Sequence, residues 1–200
     1  MVSAYLYIEG TSNEKGYKIG CREAFHKLIE KTRVNAPMPR MVASGSRSAT
    51  FKRFQTAHHS SKGAFVAMLI DSEDPVIDGE KPWQHLKQLA EDKWDRPPGA
   101  TDDQVLFMTT CMETWIVADR ATLKSHYVKN FKESALPPLD NLENRHRHDV
   151  QDKLSHATRD CSNAYAKGKR SFEVLAILDF EPLMKLPSFA RMVRILKEKL

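Results

Sequence analysis

The chain has 200 residues, of which 41% are hydrophobic and 28% are charged. This composition allows one sizeable hydrophobic core and excludes an intrinsically disordered chain. The longest apolar run, residues 64–70, is too short to span a bilayer, and the first residues show no signal-like pattern. The three cysteines lack the paired spacing of a structural zinc site, which indicates reduced, buried thiols. We expect one cytoplasmic domain over residues 1–200, with a core at about 1–120 and a helical extension at about 121–200.

The net charge of +5 is unevenly distributed along the chain. Residues 1–71 carry a net charge of +6, residues 72–119 carry −7, and residues 120–200 carry +6. An acidic segment between two basic ones is typical of a metal centre that binds a polyanion, because carboxylates hold the metal and cations hold the phosphates. Ordinary solvated surface charge is the alternative interpretation.

The first 71 residues alternate between strand and helix patterns. The order β-α-β-α-β predicts right-handed crossovers and a parallel sheet with helices on both faces, an α/β fold. The predicted strands cover about 3–9, 41–43 and 64–71, and the predicted helices cover about 18–33 and 48–59.

After residue 74 the pattern changes to a segment rich in proline and glycine. This long insertion, residues 75–104, follows an acidic strand end, and such loops are often functional. Beyond residue 120 the sequence predicts a mostly helical region. The predicted elements are a helical piece at about 83–91, a fourth strand at 104–109, and helices from about 111 and over 150–159, 171–178 and 188–200.

Two of the apolar strands end on carboxylates. The first stops at Glu9, and the third stops at Asp71, with Glu73 and Asp74 close behind. The carboxyl ends of neighbouring parallel strands meet at one sheet edge, and Mg²⁺ and Mn²⁺ prefer oxygen ligands. We predict Asp71 and Glu73 as metal ligands, Asp74 as a further candidate, and Glu9 as a ligand or proton carrier. A simple turn over residues 72–75 is the alternative.

These strand ends resemble the Toprim domain of topoisomerases, primases and old-type nucleases, in which one strand ends in Glu-Gly and a later one in Asp-x-Asp. Here the two motifs are Tyr7-Ile-Glu-Gly10 and Leu69-Ile-Asp-Ser-Glu73. Nearly the whole chain is similar to an uncharacterised bacterial Toprim-like family that is often encoded beside an ABC or old-type ATPase. That closer similarity rests on Asp71-Ser-Glu-Asp-Pro75, Trp83-Gln-His-Leu86, Ala100-Thr-Asp-Asp-Gln104, Cys111-Met-Glu-Thr-Trp-Ile-Val-Ala-Asp-Arg120 and Lys167-Gly-Lys-Arg-Ser-Phe-Glu173.

The resemblance implies Mg²⁺- or Mn²⁺-dependent phosphodiester chemistry. Glu9 would act as general acid or base, and Asp71 and Glu73 would bind the metal. The chain departs from the family pattern at Glu73, where the motif has its second Asp, while Asp74 follows immediately. Which of Glu73 and Asp74 binds the metal stays open.

Other residues are candidates for the same site. Glu113, near the start of the predicted helix from residue 111, is a further metal ligand or a first-turn residue that complements the helix dipole. Lys167, Lys169 and Arg170 open a helix, and they are predicted to bind phosphate or to form a solvated basic turn. In related nucleases a lysine neutralises transition-state charge, and Lys169, alternatively Lys167, is the catalytic candidate here. Arg47, after Ser44-Gly-Ser46, is a further phosphate contact.

The resulting hypothesis is a metal-dependent endonuclease with a Toprim-like fold, the effector subunit of an ATPase-coupled antiphage defence system. DNA is favoured over RNA as its nucleic-acid substrate, and an oligomer is allowed. The first alternative is a catalytically impaired nucleotide- or nucleic-acid-binding module that regulates an ATPase partner. An enzyme acting on a small phosphorylated molecule is the second.

Overall fold

The computed structural model describes residues 4–10, 15–32, 37–61 and 63–200. Within these residues the strands are β1 (Ala4–Glu9), β2 (Arg40–Gly45), β3 (Phe65–Asp71) and β4 (Val105–Met108). They form a four-stranded sheet of order β2-β1-β3-β4, and all neighbouring strands are parallel. The predicted α/β fold with a parallel sheet and a helical C-terminal region is therefore confirmed.

The helices surround this sheet and form most of the C-terminal part. In the described residues, no helix has both the length and the apolar character needed to cross a membrane. The helices are α1 (Lys15–Lys31), α2 (Arg47–Ser60), α3 (Pro82–Gln88), α4 (Met112–Ala118), α5 (Arg120–His126), α6 (Arg147–Thr158), α7 (Lys169–Ile177), α8 (Phe180–Leu183) and α9 (Pro187–Lys199).

The alternation of side chains along β3 separates two hydrophobic clusters, one on each face of the sheet. Ala67 and Leu69 belong to the larger cluster, and Val66, Met68 and Ile70 belong to the smaller one. Successive side chains of a strand point to opposite faces, so a strand covered on both faces is apolar throughout. This explains the continuous apolar run seen in the sequence.

Different helices cover the two faces. Helices α2 and α3 contribute Phe54, Trp83 and Leu86 to the smaller cluster. Helix α1 and the C-terminal helices form the larger cluster, which includes Phe25 of α1 and Phe189 of α9. Residues on both sides of position 120 therefore share one core, and the division into a core and an extension stays a prediction.

Most predicted elements lie within three residues of those observed. The predicted strand start at residue 3 and helix end at residue 33 lie outside the described residues. The helix predicted from residue 111 is interrupted at Asp119, whose carboxylate accepts hydrogen bonds from the backbone N–H groups of Thr122 (3.0 Å) and Asp179 (2.8 Å). Asp119 therefore caps α5 and holds the start of the short helix α8 in place.

Candidate functional site

Glu9 and Asp71 lie at the carboxyl ends of neighbouring strands, as the metal-site prediction requires. Strands β1 and β3 pair in parallel with Ile8 opposite Leu69. The backbone N–H of Asp71 donates a hydrogen bond to Glu9 Oε2 at 3.2 Å. The two carboxylates are thus held at one sheet edge, beyond which open α/β sheets bind their ligands.

A tight turn after β2 places Arg47 beside these carboxylates. Gly45 has φ +89°, a left-handed conformation that glycine adopts without strain, and its carbonyl accepts a hydrogen bond from Gly10 N at 2.7 Å. Ser46 then caps α2 by accepting a hydrogen bond from Ala49 N at 3.3 Å. Arg47 is consequently the first residue of α2 and faces the end of β1.

The Arg47 guanidinium links the carboxylates to the insertion over residues 75–104. Its Nη1 lies 3.5 Å from Glu9 Oε2 and donates a hydrogen bond to the carbonyl of Asp71. Its Nε donates to Asp92 at 2.8 Å, and its Cζ lies 5.1 Å from the centre of the Trp94 ring. Arg47, predicted as a phosphate contact, therefore positions Glu9. Its contact with phosphate stays a prediction.

The two carboxylate oxygens of Asp71 differ in their hydrogen bonding. Oδ1 accepts a hydrogen bond from the backbone N–H of Met112 at the start of α4, at 2.9 Å. Oδ2 accepts none from the residues that the structure describes, and the same holds for Glu9 Oε1. Burial raises the pKa of Asp71 well above its ordinary value, and the charges of Glu9 and Glu113 raise it further. Burial likewise raises the pKa of Glu9, against the influence of Arg47.

Glu113 joins this group from the first turn of α4. The residue is 3% exposed, and each carboxylate oxygen accepts one hydrogen bond, from Tyr165 Oη at 2.6 Å and from Gln151 Nε2 at 3.2 Å. Both donors come from distant parts of the chain, and no spacing in the sequence marks them. These two donors fix the orientation of Glu113, as residues around a metal ligand commonly do.

Glu73 and Asp74, the alternatives for the second motif carboxylate, face different surroundings. Glu73 has φ +69° and forms an ion pair with Arg147 at the start of α6. It lines the same cavity as Glu9 and Asp71. Asp74 is exposed and lines a separate groove beside α3. The described geometry therefore brings Glu73, and not Asp74, to the carboxylate site.

The carboxylates line a cavity of about 280 Å³ that also has a cationic wall. Arg147 of α6 and Lys167 supply this positive charge, and His148 and Gln151 of α6 also line the cavity. Sequence patterns had not singled out Arg147 as a site residue. The full lining is Glu9, Gly10, Asp71, Glu73, Met108, Met112, Glu113, Arg147, His148, Gln151, Lys167 and Phe172.

The three basic residues predicted at residues 167–170 point in different directions. Lys167 borders the carboxylate cavity, whereas the Lys169 side chain is 85% exposed and lines a groove between α1 and α7. Lys169 Nζ lies 3.9 Å from Glu173, and Arg170 donates to the carbonyl of Ala164 at 2.7 Å. Of the two lysines considered for the catalytic role, Lys167 is therefore the one beside the carboxylates.

The carboxylates of this cavity could bind a divalent cation only together with ligands such as water or substrate phosphate. In the described residues, no group of three or more His, Cys, Asp or Glu side chains has an arrangement that could hold a metal ion. Mg²⁺, however, commonly takes one or two protein carboxylates and completes its octahedron with water and substrate phosphate. Glu9 and Asp71, each with an oxygen available, meet that smaller requirement.

Comparisons with known proteins identify one family. Searches among curated proteins and among solved structures found no match. A family model described as "Domain of unknown function (DUF4276)" matches residues 8–197, a range that includes all the carboxylates described above. The chain therefore belongs to the DUF4276 family.

Proposed function

We propose that the protein is a Mg²⁺- or Mn²⁺-dependent nuclease that hydrolyses phosphodiester bonds. The observation that supports this proposal is one cavity lined both by the carboxylates Glu9, Asp71 and Glu113 and by the cations Arg147 and Lys167. Carboxylates suit a hard metal ion, and cations suit a phosphate, so this arrangement fits both at once. The remaining oxygens of a bound phosphate would face the cationic wall.

The hydrogen bonds that hold the carboxylates determine which of their oxygens can bind a metal ion. Asp71 is fixed through Oδ1 by Met112 N–H, which leaves Oδ2 to bind the metal. Glu9 is fixed through Oε2, which leaves Oε1 to bind the metal or to carry a proton. A bound ion would polarise the phosphoryl group and lower the pKa of a water molecule. Glu113, whose two oxygens accept hydrogen bonds from Tyr165 and Gln151, adds negative charge beside Asp71.

The cationic wall supplies the contacts to the substrate. Arg147 carries a planar guanidinium that can bind two phosphate oxygens at once, and Lys167 adds a second positive charge at the cavity edge. In this proposal Arg147 exchanges its ion pair with Glu73 for a substrate phosphate. Both cations would also stabilise the charge that develops on the leaving oxygen.

The wider setting of the proposal comes from the resemblance to Toprim-like proteins. It implies a cytoplasmic effector subunit that acts on nucleic acid, DNA rather than RNA, together with an ABC or old-type ATPase. The basic segments over residues 1–71 and 120–200 suit a polyanion and so support the nucleic-acid part of this setting.

Cleavage assays test the proposal directly. The purified protein, alone and with its candidate ATPase, is incubated with plasmid DNA, single-stranded DNA or RNA, in Mg²⁺, Mn²⁺ or chelator. We expect metal-dependent cleavage that Glu9→Gln and Asp71→Asn abolish and that Arg147→Gln reduces by about 100-fold, the size of effect that loss of one transition-state contact produces. Asp140→Asn, which removes an exposed carboxylate elsewhere, should retain activity. Activity that survives Asp71→Asn would refute the mechanism.

A second function is favoured by the ion pair between Glu73 and Arg147. If that pair persists when nucleic acid binds, Glu73 is unavailable to a metal ion and the Arg147 guanidinium is unavailable to a phosphate. The protein would then be a binding module for a nucleotide or nucleic acid that regulates an ATPase partner. Binding of nucleic acid with no cleavage under any metal condition, and a change in the partner's ATPase rate, would support this function over hydrolysis.

A further inference from the structure

One face of β1 carries an aromatic row that leads to the carboxylate site. The burial of β1 alternates, with Ala4, Leu6 and Ile8 buried and Tyr5, Tyr7 and Glu9 only partly buried. Because side chains two apart share a face, Tyr5, Tyr7 and Glu9 form one row with a spacing of about 7 Å. The row lies on the same face as α2, since both tyrosines pack against the smaller hydrophobic cluster.

The tyrosines line an open groove of about 490 Å³ beside α2. Val42 of β2 forms its floor together with the tyrosines, and Lys52 and Arg53 of α2 form its wall. Among the described residues, no acidic side chain lines the groove, and neither Lys52 nor Arg53 takes part in an ion pair. The groove therefore combines aromatic rings with uncompensated positive charge.

A third cation, Arg40, stands at the edge strand. Arg40 is exposed at the start of β2, opposite Tyr5 in the strand register. Burial raises the pKa of Tyr7, and the positive charges of Arg53 and Arg40 oppose this rise. Arg40 thus adds a third positive charge beside the tyrosine row.

We propose that the groove formed by Tyr5, Tyr7, Lys52 and Arg53 binds single-stranded nucleic acid and guides it to Glu9. Aromatic side chains stack on bases of any sequence, and a basic wall follows the phosphate backbone. The sheet face offers rings at regular intervals, which is how several sheet proteins bind single-stranded RNA. A duplex is a poor ligand for this surface because its bases already stack on each other. The guiding role rests on the proposed nuclease function, whereas the binding itself does not.

Binding is measured without cleavage, in chelator, by fluorescence anisotropy. The ligands are labelled oligo(dT) and oligo(U) of about 12 nucleotides, a length within the usual site size for such surfaces, and a duplex of equal length. We expect both single strands to bind more tightly than the duplex at the same salt concentration. Tyr7→Leu and Tyr5→Leu should each weaken binding of the single strands by about 5- to 150-fold, the range found for loss of one stacked base.

Two further variants separate stacking and charge from general damage to the fold. Tyr7→Phe keeps the ring and should bind about as well as the unaltered protein. Arg53→Gln should lower the slope of log affinity against log salt concentration by about 0.7, the contribution of one phosphate contact in a single strand. Lys129→Gln removes an equal charge from an exposed position after α5 and should leave the slope unchanged.

The outcomes distinguish this inference from the nuclease proposal. Equal binding by Tyr7→Leu and Tyr7→Phe, duplex binding as tight as single-strand binding, or no binding by the unaltered protein would each overturn the inference. Tyrosine-dependent binding without cleavage, both alone and with the candidate ATPase, would leave the groove assigned and refute hydrolysis. Metal-dependent cleavage that is indifferent to both tyrosines would support hydrolysis and refute the guiding role of the groove.

Discussion

Replacing Asp71 by asparagine tests whether this carboxylate is held at a cost to stability. Asparagine has nearly the same shape, and its Oδ1 can still accept the hydrogen bond from Met112 N–H. Only the charge and the oxygen that faces the cavity change. If Asp71 serves mainly to hold the start of α4, the substitution should matter little or should destabilise the protein.

The sign of the effect follows from the raised pKa of Asp71. Burial and the nearby charges of Glu9 and Glu113 favour the protonated form in the folded protein. Between the ordinary pKa of an aspartate and this raised value, the folded state holds a proton that the unfolded state has released. The free energy of unfolding therefore falls as pH rises through this window, by about 1.4 kcal/mol per pH unit for one proton. Below the window, the difference disappears.

Asp71→Asn should consequently be more stable than the unaltered protein at neutral pH in chelator. For a chain of this size, about 1.4 kcal/mol corresponds to a rise in Tm of about 3 to 6 °C for each pH unit of the window. Added Mg²⁺ at about ten times its Kd should stabilise the unaltered protein by about 1.4 kcal/mol and should not stabilise the variant. The advantage of the variant should therefore shrink or reverse as Mg²⁺ is added.

Thermal unfolding followed by circular dichroism from pH 4 to 8, with chelator and with Mg²⁺, measures these differences. Asp119→Asn is the matched control, because both oxygens of Asp119 accept backbone hydrogen bonds and asparagine can replace only one of them. That control should lose about 1 to 3 kcal/mol of stability. An Asp71→Asn variant that is less stable than the unaltered protein at neutral pH in chelator would refute the reasoning, as would a difference that does not change with pH.

Three further predictions concern the residues around this carboxylate. Tyr165→Phe removes a hydrogen-bond donor to Glu113. It should lower the free energy of unfolding by about 1.5 to 3 kcal/mol, measured by denaturant unfolding, and Mg²⁺ affinity by about 10- to 100-fold, measured by calorimetric titration. Unchanged values of both would contradict the role given to Tyr165. Glu73→Gly should have a Tm about 2 to 4 °C above that of Glu73→Ala. Both variants lose the ion pair with Arg147, but only glycine adopts the left-handed backbone conformation of residue 73 without strain. Equal Tm values would show that no strain is stored there. Gly168→Ala should lower the free energy of unfolding by about 1 to 3 kcal/mol through backbone strain at φ +96°, and further because its Cβ would lie 2.4 Å from the Tyr17 ring. Adding Tyr17→Ala should therefore restore part of the lost stability. A double variant that is no more stable than Gly168→Ala would argue against the clash.

The elements that carry Glu9 and Asp71 could be predicted because their signals are local. Each follows an apolar run that ends at a turn, and the β-α-β order predicts a parallel sheet whose strand ends share one edge. Only the adjacency of β1 and β3 remained to be found, and the register of Ile8 with Leu69 supplies it. The continuous burial of β3 on both faces is likewise visible in its composition.

The partners of these carboxylates could not be predicted because they arise from packing between distant segments. Arg147 lies 74 positions from Glu73, and Tyr165 lies 52 positions from Glu113. No periodicity connects them, and the polar start of α6 looks like any solvated helix end. The choice between Lys167 and Lys169 also depended on three dimensions, since Gly168 with φ +96° turns the chain and directs the two side chains to different grooves.

Glu73 stands where the Asp-x-Asp pattern has its second aspartate, and its surroundings differ from those of an aspartate at an extended strand end. In an extended strand end, residues two apart share a face, so a second aspartate would lie beside Asp71. Here the backbone at Glu73 is left-handed, its N–H donates to the carbonyl of Thr110 at 3.0 Å, and its side chain pairs with Arg147. Glu113, held by two donors, lies near enough to Asp71 to raise its pKa. Because both oxygens of Glu113 already accept hydrogen bonds, a metal ion bound here would use Glu9 of β1 and Asp71 of β3, while Glu73 pairs with Arg147.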